Sequence, residues 1–185
     1  MPRVVSIYAD QAGTGKSTAA AYLVEHYDFH HVSFAAPVKA AVVGFVQAAI
    51  GHAAAEDWMV ERKEEPIAEL GGASLVDLCC TVGNAIRDRH PGLIARLGHD
   101  RVLALLERGE NVVIDDMRHV DEWDCLATLP TDYVKLTRTT NENTRAEMEG
   151  LLADREFDVG LVIDAPQGDH GQLYSFLDQL AGGAL

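Results

Sequence analysis

Short apolar runs alternate along this chain with longer stretches in which apolar positions recur every three or four residues. The runs predict strands over Arg3 to Ala9 (carrying Val4, Val5, Ile7 and Tyr8), His30 to Phe34, Asn111 to Asp115, Tyr133 to Thr137 and Val159 to Asp164. Continuous apolar runs suit strands covered on both faces, as in a buried parallel sheet. The longer stretches predict helices over Lys16 to His26, Val38 to Ile50, Ser74 to Arg87, Gly92 to Arg108, Asn141 to Ala153 and His170 to Leu180. Pro37 stands in a first helical turn, where its missing N–H has no bond to lose. Parallel strands joined by helical crossovers are right-handed, so the expected fold is α/β, a central parallel five-stranded sheet flanked by helices in three layers. Gly51 to Gly72 departs from the pattern: it is polar, carries Glu61-Arg-Lys-Glu-Glu-Pro66 and ends in Gly71-Gly72. It reads either as an insert over one end of the sheet or as a solvated helix and loop.

Composition adds limits. The chain has 185 residues, enough for one domain with a sizeable core, and 48% of them are apolar. Lys and Arg number 15 against 29 Asp and Glu, a formal net charge of −14. Such a surplus of acid argues against a general duplex-DNA binder or an anionic-membrane binder, because phosphate backbones attract Lys and Arg. A small phosphorylated ligand in a local basic pocket stays compatible with it. The cysteines, Cys79, Cys80 and Cys125, are odd in number and lack zinc or redox spacing. They point to a reducing cytoplasm, with the adjacent pair packed inside a helix bundle. No apolar run has the length of a membrane span, and Met1-Pro-Arg-Val-Val reads as the entry to a strand rather than a signal peptide.

The densest chemistry lies in Asp10-Gln-Ala-Gly-Thr-Gly-Lys-Ser17, which follows an apolar strand and opens a helix. That is the setting a Walker A loop requires. Backbone N–H groups of Ala12, Gly13, Thr14 and Gly15 can converge on phosphate oxygens, and the helix start around Thr18 adds positive potential. Lys16 reaches the β- and γ-phosphates of ATP, and the Ser17 hydroxyl is a ligand for Mg²⁺. Asp10 stands where the pattern begins with Gly. Aspartate tolerates a left-handed backbone better than most residues. Its carboxylate either opposes a triphosphate or turns outward.

Val112-Val-Ile-Asp-Asp116 has the form of a Walker B segment, an apolar strand ending in acid. Asp115 and Asp116 are both candidates for Mg²⁺, and which one faces the metal stays open because adjacent strand residues face opposite ways. Arg118 follows closely, offering phosphate contact beside the metal.

At these residues the chain resembles the P-loop nucleoside monophosphate kinases, specifically the deoxynucleoside monophosphate kinases of bacteriophages. Phe34-Ala-Ala-Pro-Val-Lys39 resembles that family's FAxPxK segment, and Arg62-Lys-Glu-Glu-Pro66 its charged segment before the nucleotide-binding helices. Thr81-Val-Gly-Asn-Ala-Ile-Arg87 is similar to lGTExxR, and Asp115-Asp-Met-Arg-His-Val-Asp-Glu122 to DxRfxxE. Phe157-Asp158 with Val162-Ile-Asp164 resembles a closing fDxxIxN strand, with Asp164 where Asn is usual. The resemblance implies a single P-loop kinase domain over 1–185, with a helical acceptor-binding insert near 51–105 and a lid near 138–157. It implies transfer of the γ-phosphoryl group of ATP to a dNMP in the cytoplasm, with Mg²⁺ as cofactor and small-molecule nucleotides as partners.

Under that reading Lys16, Asp116, Arg118 and Arg138 are catalytic. Arg87 and Arg118 take the acceptor phosphate, for which the planar guanidinium fork is suited. Lys39 either joins them or snorkels from a helix end. Arg138 and Arg145 are candidate lid contacts to the ATP phosphates, and Arg155 flanks the same polar helix. Arg89, Arg96 and Arg101 read as ordinary helix-surface charges. Glu122 stands one turn beyond Arg118 and reads as its salt-bridge partner. The eight histidines form no metal motif. Trp58 and Trp123 read as packing residues rather than base-stacking ones.

Two other functions compete. A related kinase could phosphorylate a hydroxymethylated pyrimidine within phage DNA, with Asp115 or Asp116 as base; DNA is a partner only on that reading, and the net charge counts against it. A nucleotide-binding regulator without catalysis is permitted by Asp10 and opposed by Lys16, Ser17, Asp116 and Arg118. Monomer and homodimer are both compatible with an acidic, soluble surface.

Overall fold

The computed structural model describes residues 1–51, 62–139, 152, 154–165 and 168–183. They form two compact units, Met1–Phe34 with Ala95–Leu185, and Ala35–Ile94. The predicted helix from Asn141 to Ala153, Arg145 and Trp58 fall outside the described residues, apart from Leu152.

The first unit is built on five strands: β1 (Val4–Tyr8), β2 (Phe29–His31), β3 (Asn111–Ile114), β4 (Thr131–Arg138) and β5 (Val159–Ile163). All pair in parallel, in the order β2-β3-β1-β4-β5. Val4 is level with Val112 on one side and Thr131 on the other. Helices α1 (Lys16–Tyr27), α5 (Val120–Leu126) and α6 (Gly171–Ala181) belong to this unit, as does α4 (Leu93–Glu107) from Ala95 onward. On one face Ala19, Ala20 and Leu23 of α1 and Leu173, Phe176 and Leu177 of α6 cover Val5, Ile7, Val113, Val134 and Leu136. Every residue of β1 is buried, which is why its run lacks alternation. On the other face Trp123 stacks on Tyr133, with ring centroids 3.8 Å apart, and meets Phe157 edge-on. Trp123 is therefore a packing residue.

Three boundaries differ from the pattern reading. β2 stops at His31, because Ser33 and Phe34 turn away to bond the Asp116 carboxylate. β4 is longer, Thr131–Arg138, so Arg138 is the last residue of a strand. Helix α5 is too short for apolar periodicity to announce.

The second unit holds α2 (Ala36–Ile50), a 3₁₀ turn at Ala68–Leu70 and α3 (Leu75–Arg89). Ser74 opens α3 with a capping box: its hydroxyl accepts from the Asp77 N–H, and the Asp77 carboxylate accepts from the Ser74 N–H. Leu75 and Gly83 are buried on α3, and a Cβ on Gly83 would lie 3.9 Å from Val38 of α2. Cys79 is on that same helical stripe and is half-buried, whereas Cys80, one position round, is exposed. The adjacent cysteines are thus not a buried pair. Among the described residues no helix is long and apolar enough to cross a membrane.

Candidate functional site

The loop between β1 and α1 leaves the carboxyl edge of a central strand. Gly13 and Gly15 adopt positive φ, 75° and 114°, a region closed to most side chains. Thr14 is buried, and its hydroxyl donates to the Gln11 carbonyl at 2.8 Å. Lys16 Nζ lies 3.5 Å from that same carbonyl, so the ammonium curls over the loop. No side chain caps α1 at Gly15, and its first turn holds no acid. The loop's curvature, the helix start and Lys16 therefore present positive potential at one place. Ser17 stands in the first turn of α1, exposed, and Thr18 follows it, half-exposed.

Asp28 is the one non-glycine with positive φ among the described residues, so Asp10 does not take the left-handed backbone. Its carboxylate meets Lys135 Nζ at 2.9 Å. Lys135 is placed there by the sheet, since Tyr8 is level with Lys135 in the β1–β4 pairing. Its ammonium also lies over the stacked rings of Tyr8 and Phe157.

Arg138 comes to the loop from the end of β4. It is only 5% exposed. One Nη donates to the Ala165 carbonyl at 2.8 Å, and the other lies 3.9 Å from where a Cβ on Gly15 would stand. Leu173 of α6 closes the same space at 3.4 Å. Glycine at 15 thus serves both the turn and the close approach of a guanidinium to the loop.

β3 ends at Ile114, level with Ser6 of β1, so Asp115 and Asp116 leave the sheet at the edge from which the loop departs. Their surroundings differ. Asp115 Oδ1 lies 2.7 Å from His31 Nε2. Asp116 accepts from the Ser33 hydroxyl and from the Phe34 N–H, the latter at 3.0 Å, and so fastens the chain where it leaves β2. Arg118 is half-buried. The Glu122 carboxylate accepts the backbone N–H groups of Arg118, at 2.8 Å, and His119. Glu122 is therefore a cap on the α5 start: with α5 beginning at Val120, the free backbone donors lie closest to it.

Lys39 and Arg87 lie in the second unit, on α2 and α3. Lys39 is exposed; Arg87 is half-buried, with an Nη 3.2 Å from the Cβ position of Gly83. Arg155 pairs with Asp124 at 2.8 Å and lies over the Trp123 ring. Lys135, His31 and Ser33 were not singled out by sequence reading. Each acts through a strand neighbour remote in sequence, so only the β1–β4 and β2–β3 pairings could have found them.

A triphosphate fits this donor set: a glycine-walled loop, an uncapped helix start, Lys16 and Arg138 all present hydrogen-bond donors or positive charge. Mg²⁺ fits the exposed Ser17 hydroxyl with Asp115 and Asp116 nearby in the topology. Among the described residues no group of three or more His, Cys, Asp or Glu is placed to hold a metal ion. Mg²⁺ bound to a nucleotide keeps waters and takes phosphate oxygens.

No protein-family model matches the chain, and no curated protein matches it. Among solved structures, a "putative kinase" from Chloroflexus aurantiacus J-10-fl is similar over 100% of this chain and 98% of its own, with a TM-score of 0.52 and 11% identity. An unliganded sugar kinase from Janibacter sp. HTCC2649 aligns over 100% of this chain and 92% of its own, with a TM-score of 0.46 and 16% identity. At 11% identity the first likeness is one of fold, and the chain shares with that protein a three-layer α/β architecture.

Proposed function

We propose that this protein is an ATP- and Mg²⁺-dependent phosphotransferase, specifically a cytoplasmic deoxynucleoside monophosphate kinase that converts ATP and a dNMP into ADP and a dNDP. The observation that carries the reading is the meeting of the Gly13–Gly15 loop, Lys16 and the buried Arg138 guanidinium at the carboxyl edge of the sheet.

An oxygen of the acceptor's α-phosphate attacks the γ-phosphorus. A new P–O bond forms, the bond to the β,γ-bridging oxygen breaks, and ADP leaves with that electron pair. The attacking oxygen is already anionic, so no strong base is needed. The residues' work is positioning and charge compensation. The N–H groups from Ala12 to Gly15, with Lys16, Ser17 and Thr18, hold the ATP phosphates. Arg138 faces the charge that gathers between donor and acceptor, and Arg145 is assigned a second contact to ATP. Lys39, Arg87 and Arg118 bind the acceptor phosphate. Ser17, Asp115 and Asp116 would hold Mg²⁺, which would supply charge compensation for the phosphates during transfer. The Asp10–Lys135 pair supports binding of the triphosphate, because it offsets the Asp10 charge beside the loop.

A coupled ADP-release assay with ATP and Mg²⁺ tests the reading, offering dAMP, dGMP, dCMP, dTMP, 5-hydroxymethyl-dUMP and, separately, hydroxymethyluracil-containing DNA. Turnover on a free monophosphate that disappears in Lys16→Ala is the expected result. Turnover on DNA alone would move the acceptor to the polymer. ATP binding without any turnover would leave a regulator.

A further inference from the structure

A second cluster of cationic side chains lies away from the phosphate loop. Arg101 lies on α4 and Arg108 directly follows its end, with Ala104 and Leu105 between them. Together with His30 and His31 of the edge strand β2 they line a cavity of about 360 Å³. No acidic residue is among the lining groups. Two acids stand behind it. Glu110 reaches Arg108 Nε at 3.5 Å and His30 Nε2 at 3.0 Å, and Asp115 holds His31 at 2.7 Å. Arg101 has neither an ion pair nor a hydrogen bond among the described residues. In a chain with 29 acids and 15 bases, a guanidinium left without a carboxylate is conspicuous, because acidic partners are in surplus.

The register sets His30 of this cavity apart from the phosphate loop. His30 is level with Val112 of β3, and Val112 with Val4 of β1. Two strand spacings put β2 about 10 Å from β1, and the phosphate loop begins beyond Tyr8, about 13 Å further along. His30 therefore stands on the flank of the sheet, away from the start of the loop, while His31 touches Asp115, one of the acids assigned to Mg²⁺.

We propose that this cavity is a second binding site for a nucleoside phosphate, used for something other than phosphoryl transfer. Arg101 offers a free planar fork for two phosphate oxygens. Ala104 and Leu105 give an apolar floor on which a flat base can lie, and the imidazoles of His30 and His31 form the facing wall. The volume falls within the range of small-molecule pockets, about 300–1,000 Å³. The ligand chemistry comes from two sources, a free nucleotide or the 5′-phosphorylated end of a single strand.

Calorimetric titration of the full chain with dAMP, and separately with a 5′-phosphorylated deoxyadenosine tetranucleotide, tests the site. In Lys16→Ala/Arg87→Ala, which removes two of the contacts assigned to the reaction, saturable binding is expected to persist. Adding Arg101→Ala and Arg108→Ala is expected to weaken it by about tenfold or more. Tighter binding of the tetranucleotide assigns a strand end, and binding of dAMP at least as tight assigns a free nucleotide. Loss of all binding in Lys16→Ala/Arg87→Ala, or binding indifferent to the two arginines, overturns the proposal. Should the combined variant fail to fold, the His30 ring-proton signals decide, followed in the unaltered protein and in Arg101→Ala/Arg108→Ala: a saturable shift with dAMP that the two substitutions abolish supports the site, and a shift they leave unchanged, or no shift, overturns it. Arg101→Ala/Arg108→Ala alone is expected to leave ADP release within about twofold, so failure of this site and failure of the kinase reading appear in different assays.

Discussion

Lys135 holds Asp10 at 2.9 Å, and in doing so removes a negative charge from the mouth of the phosphate loop. The pair is partly exposed, with side chains 33% and 55% accessible, so its worth to folding is small, about 1 kcal/mol or less. Its worth to nucleotide binding is larger, because a bare carboxylate there faces a triphosphate. Lys135→Met is expected to raise the KM for ATP about three- to tenfold with little change in melting temperature. Asp10→Asn in the same chain should restore it. Steady-state kinetics of the two single variants and the double variant check this, and an unchanged KM in Lys135→Met would show that Asp10 is already turned from the phosphates.

Arg138 makes two separable contributions. Its guanidinium stands beside Gly15, and it supplies the donor for the Ala165 carbonyl. Arg138→Ala is expected to lower kcat by about 100-fold or more, the loss typical of a group that meets transition-state charge. It should also cost about 1–3 kcal/mol of stability through the orphaned carbonyl. Arg138→Lys keeps the charge and loses the fork, so its kcat should fall between the two. Rapid-quench turnover beside denaturant melts separates the effects; a stability loss with kcat intact would make Arg138 structural.

The two acids after β3 are predicted to diverge. Asp116 accepts from Ser33 and Phe34, so Asp116→Ala strands two donors at the exit of β2 and should cost about 1–3 kcal/mol. Asp115 bonds an exposed histidine, and Asp115→Asn should unfold close to wild type while requiring more Mg²⁺ for half-maximal ADP release. Urea unfolding and a Mg²⁺ titration check both. A large stability loss in Asp115→Asn with a normal Mg²⁺ response would exchange the assignments.

Gly98 tests the packing beneath that junction. A Cβ there would lie 2.2 Å from Cδ1 of Phe34, whose ring is buried. On an open helix Gly→Ala gains about 1 kcal/mol from propensity. Here overpacking, about 1–3 kcal/mol, outweighs it, and Gly98→Ala is expected to lower stability. Phe34→Leu added to Gly98→Ala should recover part of the loss, which chemical denaturation reads directly.

What sequence reading reaches is governed by how local the causes are. β1, α1, β3 and the glycine loop are legible because each rests on adjacent residues: an apolar run, a capping position, a turn that demands positive φ. Asp10 was ambiguous because its resolution lies in Lys135, 125 positions away and beside it only through the β1–β4 register. The choice between Asp115 and Asp116 was open for the same reason, since His31 and Ser33 reach them from the neighbouring strand. Glu122's capping role was hidden because an i,i+4 spacing fits a side-chain bridge and a helix cap alike, and only the start of α5 at Val120 places the backbone donors at its carboxylate. Cys80 misled because adjacency on a helix places two residues on different faces.

The contact between α1 and α6 carries a pH dependence of its own. Asp178 accepts hydroxyl hydrogen bonds from Tyr22 at 2.8 Å and Tyr27 at 2.7 Å, and Tyr22 stacks on Tyr174. The hydrogen bonds from Tyr27 and Tyr22 hold the Asp178 carboxyl below its usual 3.8. The bond to Asp178 pushes Tyr22 from 10.0 up to about 12 and raises Tyr27 as well. A lowered carboxyl stabilises the fold above its unfolded value, and that contribution fades as pH falls below about 3.8. A raised phenol contributes fully below its unfolded value of 10.0, and for Tyr22 that contribution fades between 10.0 and about 12. Asp178→Asn removes the carboxylate from both limbs. Its melting temperature is expected to lie below wild type across neutral pH, with the gap narrowing under strongly acidic and strongly alkaline conditions. Tyr22→Phe/Tyr27→Phe should reproduce the alkaline narrowing. Thermal melts of the three proteins from acid to alkali check this, and a gap constant with pH would mean that Asp178 acts by packing alone.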